Sequence, residues 1–177
     1  GLLSGLPYRG DTIVYDEQVH ASIHDGIRHS KADKVSFSHN NLQQLEEKLQ
    51  LANGLKYVVV ESLYSMDGDF APLKEIAAVC EKYEAALIVD EAHGNGLYGN
   101  NGSGLAGAAG IEDKCLARTY TFGKAIGSFG AAVVCAAPLK EFLLNYCRPF
   151  IFSTALPFHN LVTVKCAYNY LPFVSNR

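Results

Sequence analysis

The chain has 177 residues, with 15 Lys and Arg against 18 Asp and Glu and a formal net charge of −3. That balance excludes the clustered basic surface of a nucleic-acid binder, and 49% hydrophobic with 19% charged residues excludes a disordered chain. A chain of this size buries roughly 70% of its unfolded surface, enough for one cored domain.

In chain order, TIVYD (12–16) reads as a short strand and a helix is expected from about His20 to His29. VSF (35–37) is a brief strand. Leu42, Leu45 and Leu49 then recur at helical spacing, with Asn40 or Asn41 as the N-cap. YVVVES (57–62) is a continuous β-branched run. The turn-rich SMDGDFAP leads into a helix over 73–83 with Leu73, Ile76, Ala77, Cys80 and Tyr83 on one face, and AALIVD (85–90) is a second apolar run. Strands apolar on both faces belong to a parallel sheet covered by helices. The alternation therefore predicts an α/β fold with right-handed crossovers.

Residues 94–110 contain seven glycines and read as a long loop or a segment of close approach. CLARTYTF (115–122) and GAAVVCAA (130–137) are two further strands separated by GKAIGSF. The tail is helical from Pro138 and again from Pro157, with Leu161, Val164, Tyr168 and Leu171 at helical spacing. No apolar run approaches the ~20 residues of a membrane span. No basic segment followed by an apolar one opens the chain, so the expected location is the cytoplasm. Five cysteines without a C-x-x-C pair read as reduced core residues.

GNGLYG (94–99) matches G-x-G-x-x-G, but Asp90 to His93 separate it from the preceding strand and NNGSG after it is a poor helix start. A dinucleotide site is therefore not expected. His20 and His24 have metal-ligand spacing, yet no Glu lies between them and no further ligand follows at usable spacing, so no metal site is expected. Asp90 closes an apolar strand, where α/β proteins place ligand-binding groups. With His93 three residues on, its carboxylate can hold a heterocyclic cation, although an aspartate there can equally form a turn or cap a helix. Lys124 stands among glycines between two apolar strands. Its small, apolar flanks predict a desolvated amine, which is a nucleophile toward aldehydes.

DEQVHASIHDG (16–26), FSHNN (37–41), VVVESLYSMDGDFAPL (58–73), LIVDEAHGNGLYGNNGSG (87–104), TYTFGKAIGSFGAAVV (119–134) and FIFSTALP (150–157) span nearly the whole chain. Through these ordered blocks it resembles the α-oxoamine synthases, pyridoxal-phosphate enzymes of the aspartate-aminotransferase fold. The resemblance implies a three-layer α/β/α large domain of fold type I. It also implies that Lys124 joins pyridoxal phosphate as an imine and then serves as a base, and that Asp90 pairs with the pyridine nitrogen. His93 is implied to bond the ring oxygen with help from Ser65, His20 to stack on the ring, and Thr121 to contact the phosphate. Ser153 or Thr154 would reach the phosphate of a neighbouring subunit in a homodimer with shared sites. His39 and Glu61 lie in matching blocks without an assigned role. The implied reaction is a decarboxylative condensation of an amino acid with an acyl thioester. Relatives also carry an N-terminal arm and a C-terminal small domain with a carboxylate-binding arginine. The chain is thus expected to be the central part of a large domain (1–177), of uncertain activity alone; a catalytically inactive piece that only binds cofactor or dimerises is the alternative.

Overall fold

The computed structural model describes residues 1–174. A short helix α1 (Leu2–Gly5) precedes β1 (Thr12–Asp16), α2 (Ala21–His29), β2 (Asp33–Phe37), α3 (Leu42–Leu51), β3 (Lys56–Glu61), α4 (Leu73–Lys82) and β4 (Ala85–Asp90). Then come α5 (Leu105–Ala109), β5 (Cys115–Thr121), β6 (Ala131–Cys135), α6 (Ala137–Tyr146), α7 (Arg148–Ile151) and α8 (Phe158–Val174). The six strands form one sheet in the order β2-β1-β3-β4-β5-β6, parallel except for β6, which runs antiparallel to β5.

The connections decide the layers. The chain steps one way from β1 to β2, then the other way through β3, β4 and β5. Right-handed crossovers taken in opposite directions put their helices on opposite faces. The packing agrees: α1 contacts α2 and α6, while α4 contacts α3 and α5. The order reverses between β1 and β3, and a doubly wound sheet opens its crevice at the carboxyl ends of its strands at such a point.

The core is the middle of the sheet. Val58, Val59 and Val60 of β3 and Leu87, Ile88 and Val89 of β4 are all essentially inaccessible, as the continuous apolar runs predict. Each such side chain contributes roughly 1.5–3 kcal/mol by leaving water. Leu45 and Leu49 bury one face of α3, and Asn41 caps it by accepting from the Gln44 backbone N–H at 3.0 Å. Ile23 and Ile27, one turn apart, seat α2.

The tail departs from its predicted pattern. Of the four residues at helical spacing on α8, Leu171 is buried and Leu161 is 52% exposed. Apolar side chains surround α8 on all sides, so spacing alone could not single out a buried face. Leu171 joins Tyr120, Phe122 and Ile126 in a small second core, with Val164 packed against it. The short helices α1 and α7, four residues each, carry too little periodicity to be seen in the sequence.

Candidate active site

A cleft of about 520 Å³ lies at the carboxyl ends of the central strands, lined by His20, Ser22, Glu61, Asp90, Ala92, Thr121, Gly123, Lys124, Phe129, Gly130 and Ala131. Glu61, Asp90 and Thr121 end β3, β4 and β5, and His20 follows β1. This is the crevice that the strand order dictates.

Asp90 is half-buried, and its Oδ1 accepts from the Ala92 backbone N–H at 2.9 Å, which fixes the carboxylate at the strand end. The turn that follows brings His93, which is not itself a lining residue, against Lys124 at the cleft. Its Nε2 lies 2.5 Å from Lys124 Nζ. Burial, then the positive charge of Lys124, hold the His93 pKa below its ordinary value, against the opposing charge of Asp90. His20 is the N-cap of α2, where its Nδ1 accepts from the Ser22 backbone N–H at 3.2 Å, leaving the exposed imidazole at the cleft edge.

Lys124 departs from the expectation of a desolvated amine: it is exposed. The small residues around it form a tight turn, closed by Gly127 N–H donating to the Lys124 carbonyl at 3.0 Å, and this turn lifts the lysine to the mouth of the cleft. Small flanks here signal a turn rather than burial.

Thr121 Oγ1 and Ser128 Oγ, which bracket that turn, are buried without a hydrogen-bond partner among the described residues. Native structures rarely leave such groups unpaired. The orphaned Thr121 hydroxyl in the lining, an exposed amine against an imidazole and a strand-end carboxylate fit a ligand with an anionic group, an aldehyde and a basic ring nitrogen.

The remaining expected residues are not brought to this cleft. Ser65 is exposed in the turn between Leu63 and Phe70 and does not line it. Ser153 and Thr154 are also exposed and outside the lining; the Ser153 hydroxyl, just past α7, donates to the carbonyl of Pro149 in its first turn.

Glu91 was not singled out by the sequence reading, yet it organises the glycine-rich segment. It is fully buried. One carboxylate oxygen accepts from Ser62 Oγ at 2.7 Å and from the Leu105 N–H at 3.0 Å, and the other accepts from the Ala106 N–H at 2.6 Å. The carboxylate thus caps the start of α5. A Cβ on Gly104, whose φ is +94°, would meet that carboxylate at 2.6–2.8 Å, which explains glycine there. Strand alternation was the available signal: Asp90 and Glu91 are consecutive, so they face opposite sides.

A second polar cluster sits beside the cleft. His39 bonds Asp16 through Nδ1 at 3.0 Å and Asp69 through Nε2 at 2.6 Å, and the Asn40 N–H donates to Asp16 at 2.8 Å. This clamps the turn bearing Ser65 to the end of β1.

Residues 3–164 match the family described as aminotransferase class I and II. The chain belongs to the aminotransferase class I and II family. Within this family it is 40% identical, over 97% of its length, to the 8-amino-7-oxononanoate synthase of Emericella nidulans, and 42% identical, over 89%, to that of Geotalea daltonii. It spans 45% and 41% of the length of those two relatives. Among solved members, a serine palmitoyltransferase from S. paucimobilis with bound PLP–myriocin aldimine superposes with a TM-score of 0.93 at 38% identity, covering 97% of this chain and 45% of that one. An 8-amino-7-oxononanoate synthase from Francisella tularensis superposes at 0.87 and 32% identity, covering 99% and 51%.

Proposed function

We propose that residues 1–177 are the cofactor-binding large-domain part of an acyltransferase that condenses L-alanine with a pimeloyl thioester, of coenzyme A or a carrier protein. The products are 8-amino-7-oxononanoate, carbon dioxide and the free thiol, a step of biotin synthesis. The observation that carries this reading is the contact between Lys124 and His93 at the cleft that Asp90 also lines. The identities to relatives named for this activity support the choice of substrate.

Pyridoxal phosphate, when bound, supplies an electron sink for the carbanion formed at the amino acid's α-carbon. The chain's residues do the rest. Lys124 offers an amine at the mouth of the cleft for covalent attachment and, once released, takes the α-proton on Nζ. Asp90 holds a proton on the ring nitrogen by ion pairing. His93, with its pKa lowered, is neutral near pH 7 and can share a proton with Lys124 or bond the ring oxygen. The exposed His20 ring lines the same cleft as Asp90, where it can stack. The unpaired Thr121 hydroxyl suits a phosphate oxygen.

The exposure of Ser153 and Thr154, away from their own cleft, supports their use by a second copy in a homodimer. No helix among the described residues is long and apolar enough to cross a membrane; the location proposed for the enzyme is the cytoplasm.

A second reading, condensation of serine with a longer acyl thioester, draws on the likeness to serine palmitoyltransferase. The test is thiol release by the full-length protein that carries these residues, given cofactor, either pimeloyl-CoA or palmitoyl-CoA, and either alanine or serine. Alanine-dependent release with equal carbon dioxide supports the first reading. Serine-dependent release with palmitoyl-CoA alone would replace it with the second, and no release with either would refute both.

A further inference from the structure

Three carboxylates are buried around the strand ends, and two are fully explained by their partners. Asp16 accepts from the Gln18 and Asn40 N–H groups and from His39, and Glu91 caps α5. The third, Glu61, differs. It is 2% exposed, it lines the cleft, and its Oε1 has no hydrogen-bond partner among the described residues. It ends β3 in direct register with Asp90 at the end of β4, so two carboxyl groups occupy neighbouring strand ends at the floor of one cleft.

We propose that Glu61 is a further residue of this site, holding a proton while Asp90 carries the charge and releasing it when a cationic ring binds against Asp90. The proposal rests on the cofactor reading for the identity of that ring, but not for the protonation of Glu61. Two adjacent carboxylates, one of them desolvated, do not both ionise readily. The groups facing Glu61 come from the ends of β1 and β4, the cap of α2 and the turn after β5. Burial raises its pKa most, followed by the charge of Asp90 and, more weakly, that of Asp16. The His20 backbone N–H and the Lys124 charge oppose them, and the balance pushes the carboxyl up to about 7. A ring carrying positive charge over Asp90 removes the main electrostatic obstacle. The Glu61 O–H bond then breaks, its electron pair stays on the carboxylate and the proton passes to solvent water. No other bond changes.

The release gives the site a reserve of negative charge that follows the charge of its ligand. A fixed second carboxylate would repel Asp90 in the empty site, and a fixed amide could not compensate an added cation.

Infrared difference spectra of the chain, titrated without cofactor, test the first half. A protonated-carboxyl band that disappears with a midpoint of about pH 7 and is missing in Glu61→Gln is expected. A midpoint in the ordinary carboxylate range, or a band that persists in Glu61→Gln, would overturn the proposal whether or not the cofactor reading holds. Glutamine matches the size and neutrality of the protonated acid, and the wild-type titration stands without it. The second half is read from the dissociation constant of pyridoxal phosphate. Below the midpoint, binding to wild type should tighten with rising pH by up to about tenfold per unit relative to Glu61→Gln, because one proton leaves. A pH-independent ratio would overturn the release. Absence of binding in both forms would overturn it together with the cofactor reading, leaving the infrared midpoint to decide the protonation.

Discussion

Lys124 Nζ and His93 Nε2 stand 2.5 Å apart, joining the turn after β5 to the turn after β4 across the mouth of the cleft. A hydrogen bond between two nitrogens takes one donor and one acceptor, and two positive charges at that distance would repel. Burial and the lysine's charge account for the low His93 pKa, while Asp90 works the other way. Lys124→Ala should therefore raise the His93 pKa, and Asp90→Asn should lower it further. Imidazole C–H chemical shifts followed against pH would check both directions. No movement in either variant would mean that the contact does not set the state of His93.

Glu91→Ala should cost about 3 kcal/mol or more, because it leaves the Leu105 and Ala106 N–H groups and the Ser62 hydroxyl buried without their acceptor. Gly104→Ala should destabilise by a comparable amount, as it sets a methyl group against the same carboxylate at positive φ. Urea unfolding midpoints would measure both. Since both variants strike one contact, the double variant should cost less than the sum.

His39 predicts a pH dependence of stability. Burial opposes its charge, but the hydrogen bonds and charges of Asp16 and Asp69 outweigh that and raise its pKa above 6.5. A histidine raised on folding adds stability that is complete below its unfolded pKa and is lost as pH rises through the folded one. Glu61 acts in the same direction: its carboxyl is raised from 4.5 to about 7, so its ionisation also costs stability as pH rises through that window. Unfolding midpoints should fall from mildly acid to mildly alkaline pH. His39→Gln should flatten the upper part of that fall and Glu61→Gln the lower part. A slope unchanged in both variants would contradict the assignment.

Much of this was legible in the sequence. The continuous apolar runs at 57–60 and 86–89 marked the central strands, and the leucine spacing marked α3 with Asn40 or Asn41 as its cap, of which the structure uses Asn41. Asp90 and Lys124 stood out because each broke a local rule, a charge ending an apolar strand and a lysine among glycines. What stayed hidden depends on distant partners. The burial of Glu91 follows from α5, fifteen positions away, closing on it. The placement of Glu61 beside Asp90 follows from strand register. The exposure of Lys124 follows from a turn whose glycines also fit a buried approach. The exposed faces of α8 follow from an apolar pattern with no preferred side.

The central claim is that Lys124 is the residue to which pyridoxal phosphate bonds. Borohydride reduction of the chain with pyridoxal phosphate, followed by digestion and mass spectrometry, tests it most directly. The account predicts pyridoxyl label confined to Lys124, lost in Lys124→Ala and much reduced in Asp90→Asn. Label spread over surface lysines, or unchanged in Lys124→Ala, would contradict it.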